Sequence, residues 1–322
     1  MGFRPCTSDA CEFVKQVDAS PAYIGVYVDD MLIGAKNKTI IAVVKRGLAS
    51  YFKIKDIGSV TYVLGVKVVY SASNGTLVLS QKVTIERLVE RYNQTSAHVT
   101  YNPNVLGEIL LKRELNSEEV VNMERGPYRS LVGSLFSNSC TAIHKAPSDI
   151  GLHYQVNRRA TPPIAFSDAD WASDKQDRKS VSGVLVVMNG VPVIYKSKLQ
   201  RTVALSSAEA EYIALSLCLK EIVWLRSLLE GMGANVNAAT VVLEDNQSAI
   251  AIATNGGNQS RSKHIYIRHH FIREHVTQGP ISLQYIPTRQ QLTDTLPRNS
   301  HKGLHDFGSQ ERWTEQRVAG EC

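Results

Sequence analysis

From Ile164 onward the chain spells three strand patterns in a row, IAFSDA, VSGVLVVMNG and VPVIYKSK, and then one long helix pattern from Ser207 to about Glu230. This order constrains the fold more than any other feature. It continues with the strand TVVLED, a shorter helix from about Asn246, a basic helix around 264 to 276, the strand ISLQYIP and a last short helix near Gln291. Three strands, a helix, and then strands alternating with helices predict a five-stranded mixed sheet covered by helices, an α/β architecture.

The first third reads differently. YIGVYV and MLIGA flank Asp29-Asp30 as a hairpin, TYVLGVKVVY and TLVLSQ flank Ser73-Asn74-Gly75 as another, and VTIERLVERY has helical spacing. This is an α+β region. From about 95 to 160 the pattern is interrupted by Pro103, Pro127, Pro147 and the pair Pro162-Pro163, which puts a domain boundary near Thr161. The expected organisation is a domain over 1–160, a second over 161–298, and a polar tail over 299–322. A chain of 322 residues is long enough for two domains that each bury a core.

Composition excludes several classes. No segment approaches the ~18 unbroken apolar residues that a membrane helix needs, and the start, MGFRPCTSDA, has no signal-peptide or myristoylation layout, so no membrane partner is expected. The five cysteines, Cys6, Cys11, Cys140, Cys218 and Cys322, are odd in number and lack C-x-x-C spacing. That argues for reduced thiols, an intracellular setting and no zinc module. The net charge of +6 is too small to name a partner. A local cluster of Arg261, Lys263, His264, Arg268, His269, His270, Arg273 and His275, opposed only by Glu274, suits phosphates. A solvated helix face explains it equally well.

Four acids stand apart from the rest. Asp168 shares strand parity with Ile164 and Phe166, and Asp245 with Val241 and Leu243, so each carboxylate continues a row aimed at one face of the sheet. The plainer reading of each is a turn former or helix cap. DADWASD is not a calcium loop, because Ala172 and Ser173 stand where that pattern needs Asp or Asn and Gly.

The long helix separates two further acids. At about 100° per residue, Glu209 falls on a polar stripe with Ser216, Lys220, Ser227 and Glu230, whereas Glu211 lies opposite with Leu215, Cys218, Ile222, Leu225 and Leu229. Glu209 completes a capping box with Ser206. Glu211 has no such local use, and a buried carboxylate needs either a cationic side chain or metal ions beside it. Asp294 in QLTDTLP suits a helix start by itself. As a set, oxygen-only ligands select hard divalent ions, and two such ions about 4 Å apart can activate a water and stabilise a phosphodiester's leaving oxygen.

YVDDMLIGA, SVTYVLGVKV, PYRSLVGSL, GLHY, FSDADWASDKQDRKSVSG, VALSSAEAEYIALS, EIVWLRSLL, EDNQSAIAIA, SKHIYIRHHFIRE and YIPTRQQLTDTL closely resemble the C-terminal part of the polyprotein of copia-type LTR retrotransposons. That part is the end of the reverse transcriptase followed by ribonuclease H, and the match runs from about residue 2 to 298. The resemblance implies a ribonuclease H-like sheet over 161–298, two magnesium ions with manganese as the alternative, and hydrolysis of the RNA strand of an RNA/DNA hybrid. Carried over by motif, the catalytic and metal-binding acids are Asp168, Glu211, Asp245 and Asp294. Arg261, Lys263, Arg268 and Arg273 become candidates for the hybrid's backbone, and other products of the polyprotein are candidate partners.

There are departures. Tyr266 stands where the family usually has Asp after KHI, and Gln259 where His is common. The resemblance implies that Asp29 and Asp30 of YVDD are metal ligands, which in the family work with a third Asp far upstream, whereas a plain acidic hairpin turn explains them equally well. Only 28 residues precede Asp29, and neither Asp9 nor Asp18 lies in such a motif, so residues 1–160 are expected to be a palm and thumb remnant without DNA polymerase activity. The competing expectation is an inactive relic that at most binds nucleic acid.

Overall fold

The computed structural model describes residues 1–17, 19–96, 116, 119, 151–155, 161–254 and 263–293, with the backbone alone for 263–266. Backbone contacts divide the chain into two units, residues 1–60 with 219–239, and residues 61–218 with 240–322.

The first unit is built on an antiparallel sheet of β1 (Arg4–Pro5), β2 (Glu12–Val17), β3 (Ser20–Tyr27) and β4 (Asp30–Ala35), paired in chain order. Helix α1 (Lys38–Ala49) follows, capped by the Asn37 side chain, which accepts from the Ile40 amide at 2.9 Å. Its Ile40, Val44 and Leu48 recur at helical spacing and pack on Ala22 and Ile24. The sequence reading did not foresee β1, β2 or α1, although the Asn cap and the Ile-Val-Leu spacing signal the helix. The hairpin turn is Val28-Asp29, one residue earlier than expected, because Asp30 already pairs with Tyr27. Val28 takes φ 52°, the left-handed region that the tightest hairpin loops demand and β-branched residues resist.

The second unit holds two sheets. β5 (Tyr62–Val63), β6 (Val66–Ser71), β7 (Thr76–Ser80) and β8 (Leu152–Gln155) form one, with α2 (Lys82–Arg91) after β7, and the turn between β6 and β7 contains Ser73-Asn74-Gly75 as expected. The other contains β9 (Ile164–Asp170), β10 (Val181–Met188), β11 (Val191–Leu199), β12 (Thr240–Glu244) and β13 (Ile281–Tyr285). Its order is β11-β10-β9-β12-β13, antiparallel from β11 to β9 and parallel from β9 to β13. This is the five-stranded mixed sheet that the element order predicts. Helices α3 (Ser207–Gly231), α4 (Gln247–Thr254) and α5 (Lys263–Thr277) connect its later strands. Near Gln291 the expected short helix is a single 3-10 turn over Thr288–Gln290.

Small residues set the approach of α3 to the sheet: Ala169 on β9 and Ala204 pack with Ala210, Ile213 and Ala214. A second cluster joins Phe166, Leu185, Leu243 and Ile286. The start of α3 is fixed by the expected capping box. The Glu209 amide donates to Ser206 Oγ at 3.2 Å, while the Glu209 carboxylate accepts from the Leu205 amide at 2.9 Å. Among the described residues, no helix is long and apolar enough to cross a membrane.

Candidate metal centre

The site lies where the five-stranded sheet reverses its winding. From β9 the chain proceeds outward through β10 to β11, and from β12 outward to β13, so the loops leaving these two adjacent parallel strands diverge at their carboxyl ends. Leu243 pairs with Phe166 and Glu244 with Ser167, which puts Asp245 and Asp168 on the following rung of the two strands. Helix α3 brings Glu211 to the same end. One carboxylate oxygen from each of Asp168, Glu211 and Asp245 lies within 4.8 Å of the others.

These acids are enclosed rather than solvated. Asp168 and Glu211 are buried, and Asp245 is half-buried. Oε2 of Glu211 has no hydrogen-bond partner. Burial, followed by the charges of Glu244, Asp168 and Asp245, pushes the Glu211 carboxyl up to about 10, and the Ala169 amide offsets only part of this. An all-oxygen donor set with an orphaned buried oxygen and mutually repelling charges fits a hard divalent cation. Asp168, Glu211 and Asp245 would hold it.

A fourth acid here escaped the sequence reading. Glu244 is fully buried, and its Oε1 accepts from the Asn246 amide at 3.3 Å. Burial raises its carboxyl well above the usual range. The signal was available in TVVLED. A parallel strand covered on both faces buries both of its side-chain rows, so Glu244 turns inward as well as Asp245.

Gln291 was also missed. Its buried side-chain amide donates to the carbonyls of Ser167 at 2.8 Å and Leu243 at 3.4 Å, stapling the turn after β13 to both acid-bearing strands. Gln291→Ala strands two buried acceptors and is expected to lower stability by about 1–3 kcal/mol, measured by urea denaturation. An unchanged midpoint would contradict the staple. Asp294 itself lies outside the described residues.

The remaining candidates are placed as follows. Asp29 and Asp30 are exposed on the hairpin, and among the described residues they belong to no group of three acids. Arg261 and Gln259 lie outside the described residues, and Lys263 and Tyr266 are described by backbone alone. Arg268 is half-buried and donates to Ser216 Oγ on α3 at 3.2 Å, which directs it inward, whereas Arg273 is exposed.

The charge balance makes the metal-free fold sensitive to pH. A Glu211 proton bound more tightly in the folded state than in the unfolded one, where the carboxyl titrates near 4.5, stabilises the fold at low pH and less so as pH rises through that window towards 10. Thermal denaturation in chelator is therefore expected to show the melting temperature falling from pH 5 to pH 9, with a flatter slope in Glu211→Gln. A rising melting temperature would contradict this.

Comparison with known proteins agrees with the sequence resemblance. Residues 1–106 match the family of reverse transcriptase (RNA-dependent DNA polymerase). The chain is 35% identical over 330 residues to the retrovirus-related Pol polyprotein from transposon TNT 1-94 of Nicotiana tabacum, covering 91% of this chain and 25% of that protein. It is 31% identical over 339 residues to the one from transposon RE1 of Arabidopsis thaliana, covering 96% of this chain and 23% of that protein. The chain thus spans about a quarter of the length of these relatives. Among solved structures, LC11-RNase H1 isolated from compost aligns at 16% identity with a TM-score of 0.33, covering 42% of this chain and 91% of its own. By sequence, the chain is similar to a stretch of the retrovirus-related Pol polyproteins from transposons TNT 1-94 and RE1, and its residues 1–106 match the reverse transcriptase family.

Proposed function

We propose that residues 161–298 form a ribonuclease H domain that hydrolyses the RNA strand of an RNA/DNA hybrid, preceded by the region that matches reverse transcriptase over residues 1–106. The observation that carries this reading is the convergence of Asp168, Glu211 and Asp245 at the carboxyl ends of β9 and β12. Divalent magnesium or manganese ions bound there would activate a water and stabilise the leaving oxygen of a phosphodiester. The chain's own contribution is a set of carboxylates held on rigid elements: Asp168 on β9, Asp245 just past the end of the neighbouring β12, and Glu211 on a helix whose start is fixed by the Ser206–Glu209 box. Asp294 is assigned as the fourth ligand on the support of the QLTDTL motif alone. Arg273, exposed on α5, is assigned to the hybrid's phosphates.

The test is incubation with magnesium and a hybrid carrying a labelled RNA strand, beside single-stranded RNA and a primer-template with deoxynucleotides. Cutting confined to the hybrid is the expected result. No cutting by demonstrably folded protein would leave an inactive relic. Primer extension would overturn the further reading that this chain does not polymerise DNA.

A further inference from the structure

We propose that Trp171, Val203 and Leu205 form an apolar seat that takes one strand of the nucleic-acid substrate beside the acid cluster. The inference rests on the ribonuclease reading and names a binding surface for it. Trp171 follows the end of β9, the strand that carries Asp168, and is 47% exposed. Its indole Nε1 donates to the Ala204 carbonyl at 3.1 Å, which fixes the ring against the loop preceding α3. Val203 and Leu205 flank that carbonyl and are 46% and 87% exposed. The loop is held rather than loose: Ala204 is buried among Ala169, Ala210, Ile213 and Ala214, and the Leu205 amide is taken by the Glu209 carboxylate. An apolar side chain as exposed as Leu205, on a backbone pinned at both neighbours, is presented outward by the fold.

The charge around the seat selects its occupant. Lys175, Arg178 and Arg201 are exposed on the two loops that supply the apolar residues, and of the two acids there Asp177 pairs with Lys179 at 3.3 Å and Asp174 is half-buried, which leaves the surface net positive. An aromatic face bordered by cations stacks on bases or sugars while the cations follow the phosphates, a contact tolerant of sequence. The same two loops lead out of β9 and into α3, the elements that bear Asp168 and Glu211, so a strand seated here would run past the carboxylates. A protein partner would use the apolar residues without needing the cations.

Two variants test this, Trp171→Ala and Leu205→Ser, with Asp245→Asn in the background for binding and the native Asp245 for turnover. Each is expected to weaken binding of a fluorescent RNA/DNA hybrid about tenfold and to raise KM by a similar factor with kcat little changed, while the magnesium-induced rise in melting temperature stays as in the parent. Leu205→Ser removes a solvent-exposed side chain, so it remains informative if Trp171→Ala fails to fold. Unaltered hybrid affinity and KM in folded variants would overturn the seat while leaving the nuclease intact. If instead Leu205→Ser abolishes self-association in light scattering with hybrid affinity kept, the surface belongs to a protein contact and the proposal fails. Absence of hybrid binding in the parent would remove both the seat and the ribonuclease reading.

Discussion

Asp245→Asn should abolish hybrid cutting, with a loss of more than about 100-fold, the upper range produced even by outer-shell partners of a metal ligand. The substitution keeps the shape of the side chain and removes the charge that Asp168 and Glu211 face across less than 4.8 Å. Relief of that repulsion should leave the metal-free fold at least as stable as the parent, so lost activity together with an unlowered melting temperature in chelator is the signature. Glu209→Gln is the control on the same helix: it weakens a cap that contributes about 1 kcal/mol and leaves cutting in place. If Glu209→Gln lost activity as severely as Asp245→Asn, the division of labour on α3 would be wrong.

Magnesium should stabilise the folded chain. An ion that binds only the folded state adds about 2.7 kcal/mol at a hundred times its dissociation constant. The gain arises because cations offset the burial and mutual charge that raise the Glu211 carboxyl. In Glu211→Gln most of the increment should vanish, and in Asp29→Asn it should persist, since Asp29 belongs to no acid group among the described residues. Differential scanning calorimetry across a magnesium titration provides the measurement. Equal increments in parent and Glu211→Gln would place the ion elsewhere.

Much of this was legible in the sequence because two periodicities carry it. Alternation along IAFSDA and VSGVLVVMNG gave the strands, and the angular spacing of residues in α3 put Glu211 on the side opposite Glu209, where the structure buries it. The parts that escaped are those where one residue serves two patterns. Asp245 drew attention in TVVLED, yet Glu244 is the more deeply buried of the pair because β12 has cover on both faces. Gln291 looks like an ordinary polar residue near a turn, and only the approach of the Ser167 and Leu243 carbonyls gives it a purpose. Arg268 sits within a cluster that reads as phosphate-binding, whereas its guanidinium reaches Ser216. Helix α1 was overlooked because the Gly47 and Lys45-Arg46 of its second half interrupt an apolar run that the Asn37 cap nevertheless starts.

Asp168, Glu211 and Asp245 are proposed to hold divalent cations together. Manganese binding followed by electron paramagnetic resonance on the full chain tests this without reference to turnover. Tight manganese binding by the parent that is lost in Asp168→Asn, in Glu211→Gln and in Asp245→Asn, with magnesium competing for the same sites, is the predicted result. Binding that survives all three substitutions, or its absence in folded parent protein, would contradict it.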